Sequence, residues 1–337
     1  MTNIITGSQS LDPILTGLFY QSVQAASDYK GLTAAPPKAI DGYTGQYLAL
    51  SSRPRLSLDQ TDDAFGSGQL NALGLNDTSL PTGISFETKT VSLDRYARNV
   101  FVNARDVAQY QAGSGFDLRQ PALDALAHKI LGVHAHKVFR GIYSAPASYG
   151  DGSGSGAGSH VVDGPDLNTT SNPIIDSILT GCQEIYDAEG RYPNYAFVNP
   201  IVANLLRQND EVRNRPNQGG SDNTLATSDA LGAFFNQMFG VQLVVVPATF
   251  KDTDGTTGRF MGDHISLAFL DGSTAAPTFA ATFVEQGTDV TGDGATLAGI
   301  REETIEDPQG VKIIADCMYK AQVENSGAGY MIKDVTS

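Results

Sequence analysis

Residues 41–103 form the most constraining pattern in the chain, two extended arms around a polar tip. The first arm runs through residues 46–50 and 56–58, and the second covers residues 84–91. The residues between them, 62–82, are rich in Gly, Asn, Asp and Ser, which favour turns. Because an isolated two-stranded hairpin is marginal in water, we expect something outside the chain to hold these arms. The pattern favours an assembly subunit over an enzyme.

The composition is that of a globular protein. The chain has 337 residues, 41% of them hydrophobic and 18% charged, which predicts two packed domains with appendages. It has no long apolar run and no basic start, so we expect no membrane partner and no secretion signal. Cys182 and Cys317 lack the spacing of a metal or redox site, and we interpret them as buried free thiols in a reducing cytoplasm.

The net charge of −15 is concentrated in two stretches of the chain. Residues 144–190 carry 7 acidic and no basic side chains, and residues 271–337 carry 11 acidic and 4 basic ones. Neither stretch can neutralise phosphates, so tight or sequence-specific nucleic-acid binding is not expected. An acidic wall that repels a packed polyanion is compatible with this distribution.

The strongest helix prediction covers residues 117–142. Its apolar residues recur at helical spacing in one stripe with a second, widening set: Leu118, Ala122, Leu126, Ile130 and Val133, then Leu123, Ala127, His134, Val138 and Ile142. Asp117 with Gln120 resembles a capping box at its start. Together with His128, the histidines at 134 and 136 lack the spacing of a helical zinc pair, so we interpret them as surface or packing residues.

The second half of the chain alternates helices and strands before ending in strands. Helices are predicted at residues 173–189, 199–206 and 228–239, and strands at 195–198 and 241–246. Further strands are predicted at 265–270, 279–286, 297–304 and 311–323, and we expect these four to form an antiparallel sheet against the long helix. The fold class is therefore α+β.

No motif predicts a catalytic, cofactor or metal site. The Gly-x-Ser-x-Gly match at residues 152–156 lies in a low-complexity loop rather than at a strand-to-helix turn. The Asp-rich stretches 252–256 and 289–294 lack the ligand set of a calcium loop and are typical of turns. Residues 302–307 are interpreted as a solvated strand end.

Taken together, the order of elements resembles the major capsid protein of tailed bacteriophages, whose HK97-like capsid fold is shared with encapsulins. The resemblance is carried by the following features: the arm at 1–40, the extended loop at 41–103, the long helix at 117–142, the strand-to-helix entry Tyr195–Pro200, the strand Gly240–Pro247 and the closing strands Gly310–Met331.

The resemblance implies five segments. These are an N-terminal arm at 1–40, an extended β-hairpin loop (E-loop) at 41–103, a peripheral domain at 104–167 that contains the spine helix 117–142, an α/β axial domain at 168–285, and closing peripheral strands at 286–337.

It also implies a structural, non-enzymatic protein of the virion capsid, assembled in the host cytoplasm. Copies of the chain would form pentamers and hexamers of an icosahedral shell around double-stranded DNA, with no sequence-specific DNA binding. A portal and a decoration protein are further implied partners. Contacts between subunits are expected at Leu18, Phe19, Tyr47, Arg53, Arg55, Phe65, Phe86 and Lys89.

Two departures from the family narrow this expectation. The chain has no lysine between Lys38 and Lys89, so no covalent crosslink from the loop tip is predicted. The arm at 1–40 is too short for a cleaved scaffolding segment, which predicts a separate scaffolding protein. Two alternatives stay open, an encapsulin-type nanocompartment shell and an extracellular surface-layer or adhesin protein.

Overall fold

The protein folds around two five-stranded sheets, and one buried apolar cluster contains residues of both sheets. The structure is a computed structural model, and it describes residues 29–40, 44–50, 86–106, 108–109, 118–149, 160–214, 228–272, 278–285, 299–305 and 309–336. The described strands are β1 Pro37–Ile40, β2 Thr44–Leu50, β3 Phe86–Ser92, β4 Asp94–Asn103, β5 Val161–Asp163, β6 Tyr195–Val198, β7 Gln242–Val245, β8 Thr249–Lys251, β9 Thr257–Arg259, β10 Ile265–Ala268, β11 Ala280–Glu285, β12 Gly299–Ile305, β13 Gly310–Val323 and β14 Gly329–Lys333. The helices are α1 Gly31–Ala34, α2 Arg119–Val138, α3 Ile175–Glu189, α4 Pro200–Gln208, α5 Asp210–Asn214 and α6 Ser228–Phe239.

The first sheet is organised by the long strand β13. Strands β4 and β12 both pair antiparallel with its residues 310–316, so they flank it on opposite sides. Its far end pairs antiparallel with β11, which pairs in parallel with β1. Helix α2 lies on this sheet. Its apolar residues pack against buried residues of the sheet strands: Leu123, Leu126, Ala127 and Ile130 against Val284, Ile300, Ile313, Ala315 and Tyr319.

The spine helix forms where the sequence predicts it, with two local differences. Val133 was assigned to the buried stripe but is 37% exposed, whereas Leu126 and Ile130 of the same stripe are buried. The helix begins after Leu118, whose side chain makes no capping hydrogen bond. Asp117 lies outside the described residues, and Gln120 donates to Asp124 at 3.1 Å.

The helix ends in a π-helical turn, Phe139–Tyr143, that the sequence did not predict. The wider turn brings Phe139, Ile142 and Tyr143 all into the core. The Tyr143 hydroxyl donates to the carbonyl of Ala34 at 2.7 Å. The Tyr143 ring packs edge-to-face on Phe197 at 4.8 Å, so the end of the spine helix joins the two sheets.

The second sheet has the order β5-β14-β10-β6-β7. Its β6–β7 pair is parallel, as expected for strands joined through helices. Asn199 caps α4 through a 2.7 Å bond from the amide of Val202 to its side-chain oxygen, and Pro200 starts the helix. Apolar residues of α3, α4, α5 and α6 pack with inward residues of β6, β10 and β14 in a second cluster, so this sheet closes its own core.

The sheets do not follow the order of the chain, which corrects one prediction. Strand β10 was expected beside the spine helix, but it pairs with β14 and β6 in the second sheet. Residues 94–103, which lie within the predicted extended loop, form β4 and pair with ten residues of β13. Strands β5 and β14 lie in the second sheet, and β11 lies in the first. Strand pairing is non-local, so apolar patterns do not identify the partner. The predicted domain boundaries stay predictions.

Candidate assembly surfaces

Strands β2 and β3 form a separate two-stranded antiparallel ladder. Seven residue pairs join them, from Thr44 with Ser92 to Leu50 with Phe86. Within the described ranges they hydrogen-bond to no third strand. The residues between them, 51–85, lie outside the described part of the chain. The ladder confirms the predicted pairing of the two arms at their base.

An apolar cluster fixes the base of this ladder on the first sheet. Val91 and Leu93, at the end of β3, are buried against Phe283 and Ala281 of β11. Ile40, at the end of β1, belongs to the same cluster. Burial of side chains of this size stabilises by roughly 1.5 to 3 kcal/mol each, so the base is held firmly by its own subunit.

A buried ion pair also holds the base of the ladder. Lys38 of β1 donates to Glu324 at 2.7 Å, and both side chains are 4% exposed. Lys89 of β3 lies 3.5 Å from the backbone carbonyl of Glu324. Burial raises the pKa of Glu324, and the hydrogen bond from Lys38 opposes that rise. Glu324 directly follows β13, so one residue contacts both β1 and β3.

Of the eight residues predicted to contact neighbouring subunits, three lie in the described ladder. Five lie outside the described residues: Leu18, Phe19, Arg53, Arg55 and Phe65. Tyr47 and Phe86 lie on the ladder, where Tyr47 is opposite Lys89. Lys89 reaches Glu324 of its own chain. Their contacts with neighbouring copies stay predictions.

A second candidate surface is a groove on α3 that the sequence analysis missed. Leu179 and Tyr186 are each 41% exposed, and Tyr192 is 55% exposed. The Tyr186 and Tyr192 rings stack at 4.7 Å. Tyr192 and Leu179 line a groove of about 480 Å³ with Met238 and Phe239 of α6. Exposed aromatics of this kind are enriched at protein interfaces. The signal was present as Leu179 and Tyr186, seven residues apart on the outer side of a predicted helix.

The histidines of the spine helix serve packing, as predicted. His134 is fully buried, and its Nε2 lies 2.9 Å from the hydroxyl of Thr282. That hydroxyl donates to the carbonyl of Ala35 at 2.9 Å, so the imidazole Nε2–H is the donor to Thr282. Nδ1 has no partner among the described residues. Burial lowers the pKa of His134 to about 4, which keeps the ring neutral.

One serine–histidine pair was not anticipated. The Ser144 hydroxyl lies 3.4 Å from Nε2 of His264 and accepts from the amide of Gly262 at 3.3 Å. Burial lowers the pKa of His264 to about 4. The contact between Ser144 and the imidazole is long, and Ser144 follows a π-helical turn rather than a strand-to-helix elbow. The pair joins the end of the spine helix to the 262–264 turn.

The two cysteines and the Asp-rich stretch 252–256 have structural explanations. Cys182 and Cys317 are free and buried, as predicted, and burial raises the pKa of Cys182 to about 11. Residues 252–256 form the predicted turn, between β8 and β9, with Gly255 at φ 85°. Residues 289–294 lie outside the described part. In the described ranges no group of three or more His, Cys, Asp or Glu residues could hold a metal ion. None of the described helices is both long and apolar enough to cross a membrane.

Comparison with known proteins gives matches at the level of structure. No protein-family model and no curated protein matches the chain. A phage-related protein from Bordetella bronchiseptica is 16% identical with a TM-score of 0.70, and the match covers 98% of this chain and 99% of that one. The SrpI encapsulin complex from Synechococcus elongatus is 12% identical with a TM-score of 0.52, covering 100% and 93%. Microbacterium phage Oxtober96 gives 15% identity and a TM-score of 0.52, covering 98% and 94%. The chain therefore has the α+β HK97-like fold that phage capsids and encapsulins share.

Proposed function

We propose that the chain is the major capsid protein of a tailed double-stranded DNA bacteriophage, a structural subunit that is not an enzyme. Copies would assemble as pentamers and hexamers into an icosahedral shell. The observation that carries the proposal is the β2–β3 ladder, which is anchored at its base but has no third strand within the described part of the chain. A two-stranded sheet is marginal by itself, and a neighbouring copy can supply what it lacks. The fold, shared with phage capsids over nearly the full chain, supports the same assignment.

The shell proposal carries the implied partners with it. These are packaged DNA bound without sequence specificity, a portal, a separate scaffolding protein and, on the outside, a decoration protein. The site of action is then the virion, with assembly in the host cytoplasm. The absence of lysine between Lys38 and Lys89 supports a shell without covalent links from the loop tip, and ladders of linked chains on a denaturing gel would contradict that.

A second candidate is a protein nanocompartment. The match to an encapsulin complex over 100% of this chain favours it specifically. Its shell would form from this chain alone, in cells without phage, and would enclose protein.

Electron microscopy of the purified assembly, combined with a nuclease-protection assay, tests both candidates. The phage proposal expects icosahedral particles whose DNA survives nuclease until the shell is opened. Protein-filled, DNA-free particles from the chain expressed by itself would support the nanocompartment instead. A monodisperse single subunit under all assembly conditions would contradict both.

A further inference from the structure

The outward face of the spine helix has a charge opposite to that of the whole chain. From Arg119 to Arg140 the sequence carries four lysines or arginines and one carboxylate, Asp124, whereas the chain has a net charge of −15. The buried face of the helix is apolar and packs on the first sheet. All the cationic side chains therefore lie on the sides that the sheet leaves open, and Lys129, Lys137 and Arg140 are exposed.

The helical repeat aligns part of this charge in one row. Lys129, Val133 and His136 follow at intervals of four and three residues, which places them on one line along α2, and Arg140 follows four residues later in the π-helical turn. At about 1.5 Å per residue the row is roughly 16 Å long. Asp124 lies five residues before Lys129, about 140° away around the helix, and bonds to Gln120. We call these four residues the spine row.

The cations of the spine row are not neutralised by the described carboxylates. On the neighbouring strands, surface cations are paired: Lys320 with Asp94 at 2.9 Å, and Arg95 with Asp316. By contrast, neither Lys129 nor Arg140 forms an ion pair with any described residue. The row is rimmed on one side by Lys137, whose Nζ lies 3.9 Å from the centre of the Tyr96 ring.

One carboxylate borders the row. Asp252, in the turn between β8 and β9, lies beside His136 and opposes the lowering of the pKa of that ring by burial and by Arg140. His136 packs edge-to-face on Phe250 at 4.8 Å, whereas the cations Lys129 and Arg140 at the ends of the row are exposed, so these ends suit an anionic partner.

We infer that the spine row contacts the phosphate backbone of duplex DNA enclosed by the shell. The inference rests on the proposed function, since it requires DNA on the side of the shell where the row lies. Lysine and arginine at fixed positions on a rigid helix bind phosphates without reading bases, which gives contact that is independent of sequence and weakened by salt. Two or three cations per subunit bind weakly, and many copies in one shell add up. The acidic stretches 144–190 and 271–337 would repel DNA elsewhere on the subunit.

The test compares two double variants that lose the same charge. Lys129→Gln with Arg140→Gln neutralises the row. The matched control, Arg213→Gln with Lys312→Gln, removes two exposed or half-exposed cations from α5 and β13. Affinity of each purified full-length chain for a short labelled duplex of random sequence is measured over a series of salt concentrations. Each phosphate contact contributes about 0.9 to the slope of log affinity against log salt. We expect the slope of the row variant to fall by about 1.8 and that of the control to stay at the wild-type value.

Nuclease-protected DNA per shell is measured in parallel, so that failure of the inference and failure of the proposed function are separable. Shells that protect DNA while the row variant keeps the wild-type salt slope would overturn the inference alone. So would an equal loss of slope in both double variants, which would indicate net charge rather than a site. Binding of an acidic scaffolding protein, but not of DNA, to the wild-type chain would also overturn it. Absence of DNA-filled shells from the wild-type chain would instead contradict the proposed function.

Discussion

The second sheet and the β2–β3 ladder use their residues in opposite ways. The second sheet has five strands, and helices α3 to α6 supply apolar side chains that close its core within the chain. The ladder has two strands, and its described contacts with the rest of the chain lie at its base, around Glu324 and Phe283. The comparison teaches that one region closes its core within the chain, while the other is anchored at its base and, under the proposed function, is completed by a neighbouring copy.

The largest expected effect is on the core that the spine helix forms with the first sheet. Ile130→Asp places a charge at a site that is 4% exposed and packs on the first sheet, so it should abolish soluble folding. Solubility and thermal melting by circular dichroism measure it. The control Ala125→Asp, on the exposed side of the same helix, should melt like the wild type. Normal melting of the Ile130 variant would show that the spine helix is not part of the core.

Deletion of residues 62–82 should leave folding intact and abolish shell assembly. The deleted residues lie in sequence between the two strands of the ladder and outside the described part of the chain. Sedimentation separates shells from subunits, and the melting curve of the deleted chain serves as the control for folding. Normal shells from the shortened chain would contradict an interlocking role for this loop.

The buried Lys38–Glu324 ion pair allows a test of how firmly the base of the ladder is anchored to its own subunit. Lys38→Met leaves the Glu324 carboxylate buried without its partner and should cost about 3 to 5 kcal/mol in the free energy of unfolding. Lys38→Met combined with Glu324→Leu should recover most of that loss. Chemical denaturation measures both. Lys312→Met, which breaks an exposed pair with Glu303 at 3.9 Å, should cost less than about 1 kcal/mol. Equal losses at the two sites would contradict the anchor.

The buried His134 makes the packing of the spine helix on the first sheet sensitive to acid. The pKa of His134 is about 4 in the folded chain against about 6.5 when unfolded, so the unfolded chain binds the proton first. The stability from the neutral ring is complete above pH 6.5 and is lost as pH falls toward 4, by about 3 kcal/mol. His134→Gln should flatten this loss in denaturation measured across that range, and the exposed His128→Gln should not. An unchanged slope in the His134 variant would contradict the assignment.

The smallest effect on folding is expected at the α3 groove. Tyr186→Ala with Tyr192→Ala removes two stacked, largely exposed rings and should change the free energy of unfolding by less than about 1 kcal/mol. If neighbouring copies cover the groove, the yield of shells in sedimentation should fall even though melting is unchanged. A lower melting temperature with an unchanged yield of shells would show that Tyr186 and Tyr192 stabilise the core of the second sheet instead.

Local signals in the sequence were sufficient for most elements of the second half. The helix at 228–239 and the strand at 195–198 have the predicted bounds, because apolar periodicity, Asn199 and Pro200 mark them within a few residues. The order of these elements was also enough to identify the fold. Burial on the spine helix was predicted for Leu123, Leu126 and Ile130, but Val133 is exposed and Leu131 and Ala135 are buried without having been predicted, because tertiary packing selects the sides of a broad apolar stripe.

What the sequence could not supply depends on residues far apart in the chain. Lys38 and Glu324 are separated by 286 positions, and neither has a local pattern that identifies the other. The pairing of β10 with β14 rather than with its neighbours in sequence has the same cause. The π-helical turn has no sequence marker, since Phe139, Ile142 and Tyr143 are compatible with a regular helix. Leu179 and Tyr186 lie seven residues apart on a predicted helix, but only the structure shows that they are exposed and that Met238 and Phe239 line a groove with Leu179.

Strand β13 ends at Val323, and the chain enters β14 of the other sheet at Gly329, with the amide of Glu324 donating to Phe279 at 3.0 Å on the way. A force applied to the β2–β3 ladder is therefore transmitted through Glu324 to the segment that connects the two sheets. In a shell under internal pressure, this arrangement would distribute mechanical load from the ladder over both sheets of the subunit. Glu324 would be the residue through which the load passes.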